Sequence, residues 1–230
     1  MGQVMYVCGK IDNAPSVFAD APTAYTLIST HTESQTIVAP EDGYFRVEVH
    51  GASGHGGLGA VFSNRASGGG GGGGGGCAVS NLKLKKGDTV EITCGAVGSD
   101  SSAVIYSSLE DYEAMVVTSG KTAPNCETYV NMGGTGGDGG EARGGNVTNR
   151  DGSRGNSGTH KRDTHIAHGT GGTGGASGCA GGNVGGNGES VWNESTVGEE
   201  DSGTSSPRTY GKPGLVYFYR GNTNVVAQEV

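Results

Sequence analysis

Gly68-Gly-Gly-Gly-Gly-Gly-Gly-Gly-Gly76 is an uninterrupted run of nine glycines. It separates two apolar stretches, Tyr44-Phe-Arg-Val-Glu-Val-His50 and Cys77-Ala-Val-Ser-Asn-Leu-Lys-Leu84. Such a run is either a flexible coil or an extended polyproline-II-like rod. A rod has three residues per turn and rises about 3.1 Å per residue, so nine residues span roughly 28 Å. It makes no internal hydrogen bonds. A buried rod therefore needs an outside partner for every N–H and C=O, and the natural partners are other rods alongside.

The chain contains further candidates. Gly51, Gly54 and Gly57 recur every third residue, residues 133–140 read Gly-Gly-Thr-Gly-Gly-Asp-Gly-Gly, and Gly169, Gly172, Gly175, Gly178 and Gly181 hold the same period. A linker needs no period and no restriction to small intervening residues. A three-fold rod needs both, because one direction in three faces each neighbour. We therefore read the glycine blocks as packed rods.

The apolar segments fit strands. Phe45, Val47 and Val49 alternate with polar residues, as in a half-buried strand. Residues 77–84 and 89–94, joined by Lys85-Lys86-Gly87-Asp88, read as a β-hairpin. Residues 24–29 and 214–219 are also β-prone, and residues 3–8 suit a short first strand. Ser107-x-x-Glu110 is a capping signal for a short helix over 109–117. The polar stretches 146–168 and 188–211 read as long irregular loops. The expected fold is all-β: a small antiparallel β-sandwich scaffold with packed polyglycine-II helices and long polar loops. We expect an N-terminal strand and attachment segment at 1–35, the glycine-rich domain at 36–220 and a C-terminal tail at 221–230.

Composition narrows the function classes. Of 230 residues 48 are glycine but only 6 are proline, which excludes collagen. The net charge of −8 and the lack of a basic tract argue against nucleic acid as a partner. No apolar run approaches a membrane span. Residues 1–5 lack the charged leader and apolar core of a signal peptide, so we expect no export by the general route. The five cysteines are widely spaced without a Cys-x-x-Cys pair, and we read them as small buried packing residues.

Local motifs point to no cofactor. Gly54-x-Gly56-x-x-Gly59 matches the dinucleotide fingerprint, yet nothing after it can form the helix that the mechanism needs. Gly133-Gly134-x-Gly136-x-Asp138 resembles the start of a calcium β-roll repeat but has Gly140 where a large apolar residue belongs. His160, His165 and His168 have metal-ligating chemistry; we read them as an exposed loop without a metal. No nucleophile elbow or other catalytic constellation stands out, and we expect no enzyme. Trp192 and Tyr210 are the candidate recognition aromatics, with Arg150, Arg154, Lys161 and Arg162 as candidate partners for phosphate or carboxylate. Trp192 serves equally as a loop anchor.

The order of segments resembles a known family. Residues 44–54 (Tyr-Phe-Arg-Val-Glu-Val-His-Gly-Ala-Ser-Gly), the polyglycine tract, residues 79–96 with their Leu-Lys-Lys-Gly-Asp-Thr-Val core, and the closing Gly211-Lys-Pro-Gly-Leu-Val-Tyr-Phe-Tyr-Arg220 together are similar to the glycine-rich domains of bacteriophage tail-fibre and receptor-binding adhesins. Related domains occur in bacterial surface proteins and some animal receptor tyrosine kinases. The resemblance covers residues 36–220. It implies polyglycine-II rods packed side by side, with distal loops that touch a bacterial surface receptor, and a place in the virion beside other fibre proteins. Fibres of this kind are often trimeric, which implies a homo-oligomer or a cap on a trimeric fibre. The alternatives are a secreted or cell-surface interaction module and a glycan-degrading enzyme carried on a fibre.

Overall fold

A computed structural model describes residues 18, 21–127, 132–163, 166–196 and 199–222. Among them every regular element is a β-strand, sixteen in four antiparallel sheets, and none is a helix. The strand expected at 3–8 lies outside the described residues.

A two-sheet base forms one end. Its first sheet has the order β1 (Tyr25–His31), β16 (Leu215–Gly221), β3 (Gly43–His50), β6 (Cys77–Leu84), β11 (Thr148–Arg150). The second has β10 (Ala142–Arg143), β9 (Met115–Val117), β8 (Ser101–Tyr106), β7 (Thr89–Thr93), β2 (Gln35–Val38). Phe45, Val47 and Val49 point inward as their alternation predicts, against Val90, Ile92, Met115 and Val117 of the second sheet. The Phe45 and Phe218 rings stack with centroids 5.2 Å apart.

Two local expectations for the base are corrected. β6 and β7 are not a hairpin. β6 pairs with β3 and β11, whereas β7 pairs with β8 and β2. The 85–88 turn, with Gly87 at φ +94°, carries the chain from one sheet to the other, so Leu82 and Leu84 face Val90 and Ile92 across the core. Nor do residues 109–117 form a helix. The Ser107 hydroxyl accepts Leu109 N–H as a cap would, but it also donates to the Lys83 carbonyl; Glu110, the other half of the signal, pairs with Lys83 Nζ at 2.7 Å, and Met115–Val117 joins a sheet.

The rods begin where the base ends. Residues 68–76 run down the middle of a bundle, and all nine of their carbonyls accept backbone hydrogen bonds. Gly51, Gly54 and Gly57 donate to Gly76, Gly73 and Gly70; Gly134, Gly137 and Gly140 to Gly68, Gly71 and Gly74; Gly172, Gly175 and Gly178 to Gly69, Gly72 and Gly75. In return Gly68, Gly71 and Gly74 donate to Thr159, Asn156 and Ser153; Gly69, Gly72 and Gly75 to Glu189, Gly186 and Asn183; and Gly73 to Lys121. These bonds are 2.8–3.0 Å long. The central rod thus has six neighbours: 51–59, 118–126, 133–141, 151–159, 169–178 and 182–189. Further bonds link these neighbours to one another in a closed ring, such as Gly120 to Ala52 and Gly155 to Gly137. A last rod, 207–214, lies outside the ring, where Ser53 and Gly56 donate to Lys212 and Thr209.

This packing explains the nine glycines. A Cβ at Gly72 would fall on the carbonyl of Gly54, and one at Gly73 on that of Asp138, far inside van der Waals contact. It also corrects the reading of 146–168 and 188–211 as loops. Residues 151–159 are a rod whose Gly152, Gly155 and Gly158 approach the carbonyls of Gly74, Gly71 and Gly68. A rod at the surface needs glycine only where its Cβ would meet a neighbour, so Arg154, Asn156 and Ser157 are tolerated and the segment reads as polar. The 188–211 stretch divides between a strand pair and the outer rod.

Side chains close the outer grooves of the bundle. His55 N–H donates to Thr122 Oγ1, Leu58 N–H to Asn125 Oδ1, Glu141 N–H to Thr118 Oγ1 and Gly174 N–H to Asn187 Oδ1. Outward donors that would recruit another rod are thereby satisfied, much as natural sheets protect their edges.

The cysteines are a further correction. Cys77 and Cys179 form a disulfide with Cα atoms 5.7 Å apart, although 102 residues separate them. Rods 68–76 and 169–178 run parallel and end level, since Gly178 donates to Gly75; their next residues therefore meet. Cys94 and Cys126 are free and half-buried.

Candidate binding face at the tip

The end of the bundle opposite the base carries two small sheets: β4 (Ala60–Phe62), β5 (Arg65–Ser67) and β12 (His160–Arg162), with β5 in the middle, and β13 (Ile166–Gly169), β14 (Ser190–Thr196) and β15 (Glu199–Ser206), with β14 in the middle. Val61 and Ala66 of the first pack on Ala167 and Val191 of the second. Because this core is so small, the tip borrows rigidity from the rods. Glu189 is the joint: its carboxylate accepts Gly59 N–H at 2.9 Å and the Thr204 hydroxyl at 2.9 Å, while its carbonyl accepts Gly69 N–H. A compact turn joins β4 to β5, with Ser63 in the left-handed region at φ 52°.

Three of the candidate residues share the tip. Lys161 and Arg162 are exposed on β12, where they pair in register with Ala66 and Arg65. Lys161 Nζ lies 3.7 Å from Asp163. Trp192 is half-buried in β14 opposite Gly203, where a Cβ would crowd the indole. Its ring thus fills the space above a glycine, which makes it an anchor of the β14–β15 pair.

The other candidates lie elsewhere. Arg150 pairs with Cys77 at the base end of the bundle. Arg154 projects from the side of a rod, with Nε 3.4 Å from Asp138 and donating to the Gly136 carbonyl. Tyr210 stands on the outer rod, 66% exposed, edge-on to His55 and beneath the Arg208 guanidinium. The base and tip candidates are separated by the central rod, roughly 28 Å long. Arg65 and Phe62, which the sequence reading passed over, face out of the same sheet as Arg162. Their only sequence signal is the brief alternation Ala-Val-Phe, turn, Arg-Ala-Ser.

The local motifs resolve by where their donors go. The N–H groups of Gly54, Gly56 and Gly57 are bonded to Gly73, Thr209 and Gly70, which leaves no cradle for a pyrophosphate. His160 Nδ1 lies 2.7 Å from the Ser67 hydroxyl, and His165 falls outside the described residues. Among the described residues no cluster of three or more His, Cys, Asp or Glu side chains could hold a metal. Burial pushes the Cys126 thiol, near the tip, above its usual range.

An open cleft of about 390 Å³ at the far end of the base is lined by Ile105, Tyr106, Ser107, Ser108, Glu110, Asp111 and Tyr112. Hydrogen bonds from Lys83 and Tyr112 hold Glu110 below the usual carboxylate range. Burial first, together with Glu110, pushes the Tyr112 phenol to about 12. An ionised carboxylate and neutral phenol that satisfy each other make a braced surface rather than a proton-transfer pair. No family model matches the chain, and no curated protein matches it.

Proposed function

We propose that the chain is the tip domain of a bacteriophage tail fibre, which recognises a bacterial surface receptor with its small distal sheets. One observation carries the reading. The described chain enters and leaves side by side at the far end of the base, where Asn222 N–H donates to the Ala24 carbonyl and Tyr25 pairs with Gly221. The tip therefore stands free at the other end of a rigid bundle. Recognition residues concentrate where short elements are held on such a frame. The base then faces other fibre proteins, as a homo-oligomer or as the cap of a trimeric fibre.

The test places the same peptide epitope in the β4–β5 turn, between Ser63 and Asn64, or in the base, between Thr32 and Glu33. Adsorption of the chain to a panel of bacterial strains is measured with and without antibody. Blocking only through the β4–β5 epitope is expected; equal blocking at both sites, or adsorption to no strain, overturns the reading.

The Cys77–Cys179 bridge favours a second reading, a secreted or cell-surface interaction module, because disulfides persist in oxidising surroundings. Detection of the chain in purified phage particles, or in the producing cell's own envelope, separates the two.

A further inference from the structure

The two faces of the β4–β5–β12 sheet differ sharply. Val61 and Ala66 look into the tip core. On the opposite face Phe62, Arg65 and Arg162 form one row across the three strands. Phe62 is 51% exposed, Arg162 is exposed and Arg65 is half-buried. The sheet's strands, Ala-Val-Phe, Arg-Ala-Ser and His-Lys-Arg, contain three cations and no carboxylate. This is a local excess in a chain of net charge −8. The second tip sheet has the opposite composition, with Glu194, Glu199, Glu200 and Asp201 in β14 and β15.

We propose that this face binds an anionic polysaccharide, with Arg65 and Arg162 forked onto its carboxylate or phosphate groups and the Phe62 ring against the apolar face of a sugar. The proposal rests on the reading of the tip as the recognition end. A guanidinium matches carboxylate and phosphate in a bidentate geometry that Lys cannot reproduce. Neighbouring strands lie about 4.8 Å apart, so the row sets an aromatic ring and two forks at successive steps across the sheet, a spacing suited to an extended polymer. Charge complementarity selects the place. The chain as a whole repels a polyanion, so the row of cations on this face is what attracts one. Lys161, on the edge strand and shared with Asp163, adds to the field rather than to the fork.

The full chain is titrated with polygalacturonate, dextran phosphate, unmodified dextran and phosphatidylglycerol vesicles. At least one of the two charged polysaccharides is expected to bind, more weakly as salt rises, and unmodified dextran is expected not to. Arg65→Gln combined with Arg162→Gln is expected to weaken binding at least about tenfold, the loss of one charged hydrogen bond, in protein that keeps its native β signal. Arg150→Gln combined with Arg154→Gln removes the same charge elsewhere and is expected to have less than about a twofold effect. If the double tip variant misfolds, Arg162→Gln alone decides, because it sits on an exposed edge strand. The proposal is overturned if neither charged polysaccharide binds, if both double variants lose equally, or if the vesicles bind as tightly as the polysaccharides. Because no probe is a cell, the outcome is separable from that of the epitope experiment. Tip-specific blocking with undiminished polysaccharide binding by the double tip variant removes the ligand class and leaves the tip reading intact.

Discussion

The base and the bundle bury their backbones by different physics. In the base, Phe45, Leu82, Met115 and Phe218 are removed from water by one another, and each apolar Å² contributes about 25 cal/mol. In the bundle the centre has no side chains at all. Its nine glycines are held by backbone bonds in six directions, and the large entropic cost of ordering glycine is offset because almost every ordered residue gains partners. A side-chain core yields by degrees, since neighbours relax around a cavity. A backbone lattice with carbonyls where any Cβ would sit has no such latitude.

The comparison fails first if Gly72→Val folds. A Cβ there meets the carbonyls of Gly54 and His55, so we expect no folded protein, read as loss of the native β signal and of a cooperative thermal transition. Phe45→Ala should cost about 3–5 kcal/mol and leave a folded chain in denaturant titration. If both variants were equally mild, the lattice would not be the stricter of the two.

pH offers a finer contrast within the base. Glu48 is held below its ordinary pKa of 4.5 by the neighbouring His50 imidazole, 3.8 Å away, and by the Tyr219 hydroxyl. A carboxylate depressed in the folded state contributes stability that is complete above the unfolded value and fades as pH falls through the folded one. Wild-type protein should therefore exceed Glu48→Gln by about 1 kcal/mol or less at pH 7. The difference should start to fade near pH 4.5 and disappear only once pH has fallen through the lower folded value, as read from thermal midpoints across the range. The smallest effect is expected at Arg154→Ala, within about 0.5 kcal/mol. That side chain leaves the rod for solvent, and its pair with Asp138 is exposed on both sides.

Legibility in the sequence followed enclosure. Rod 68–76 is closed in every direction, so each position is glycine and the element is plain to read. Rod 133–141 leaves Thr135, Asp138 and Glu141 outside a glycine pattern, and it too was legible. Rod 151–159 has rods on three sides, keeps glycine only at 152, 155 and 158 and exposes most of the residues between them; it reads as a loop although its bonds to the centre are as regular as the others. The arch between β6 and β7 was missed because a four-residue turn serves a hairpin and an arch alike, and only the partner strands distinguish them.

The amino-acid order by itself determined that the protein is all-β with packed glycine rods. Periods of two and three are local properties of a chain, set by where successive side chains point. Which strands pair, which cysteines meet and which cations share a face were decided by the tertiary structure. Ser67 and His160 lie 93 residues apart, yet their side chains are 2.7 Å apart. Arg65 joins Arg162 only because the rods that follow β5 and precede β12 run antiparallel beside each other, bonded from Gly68–Thr159 to Gly74–Ser153. That register is a sum of contacts between distant segments, and no window of neighbouring residues contains it.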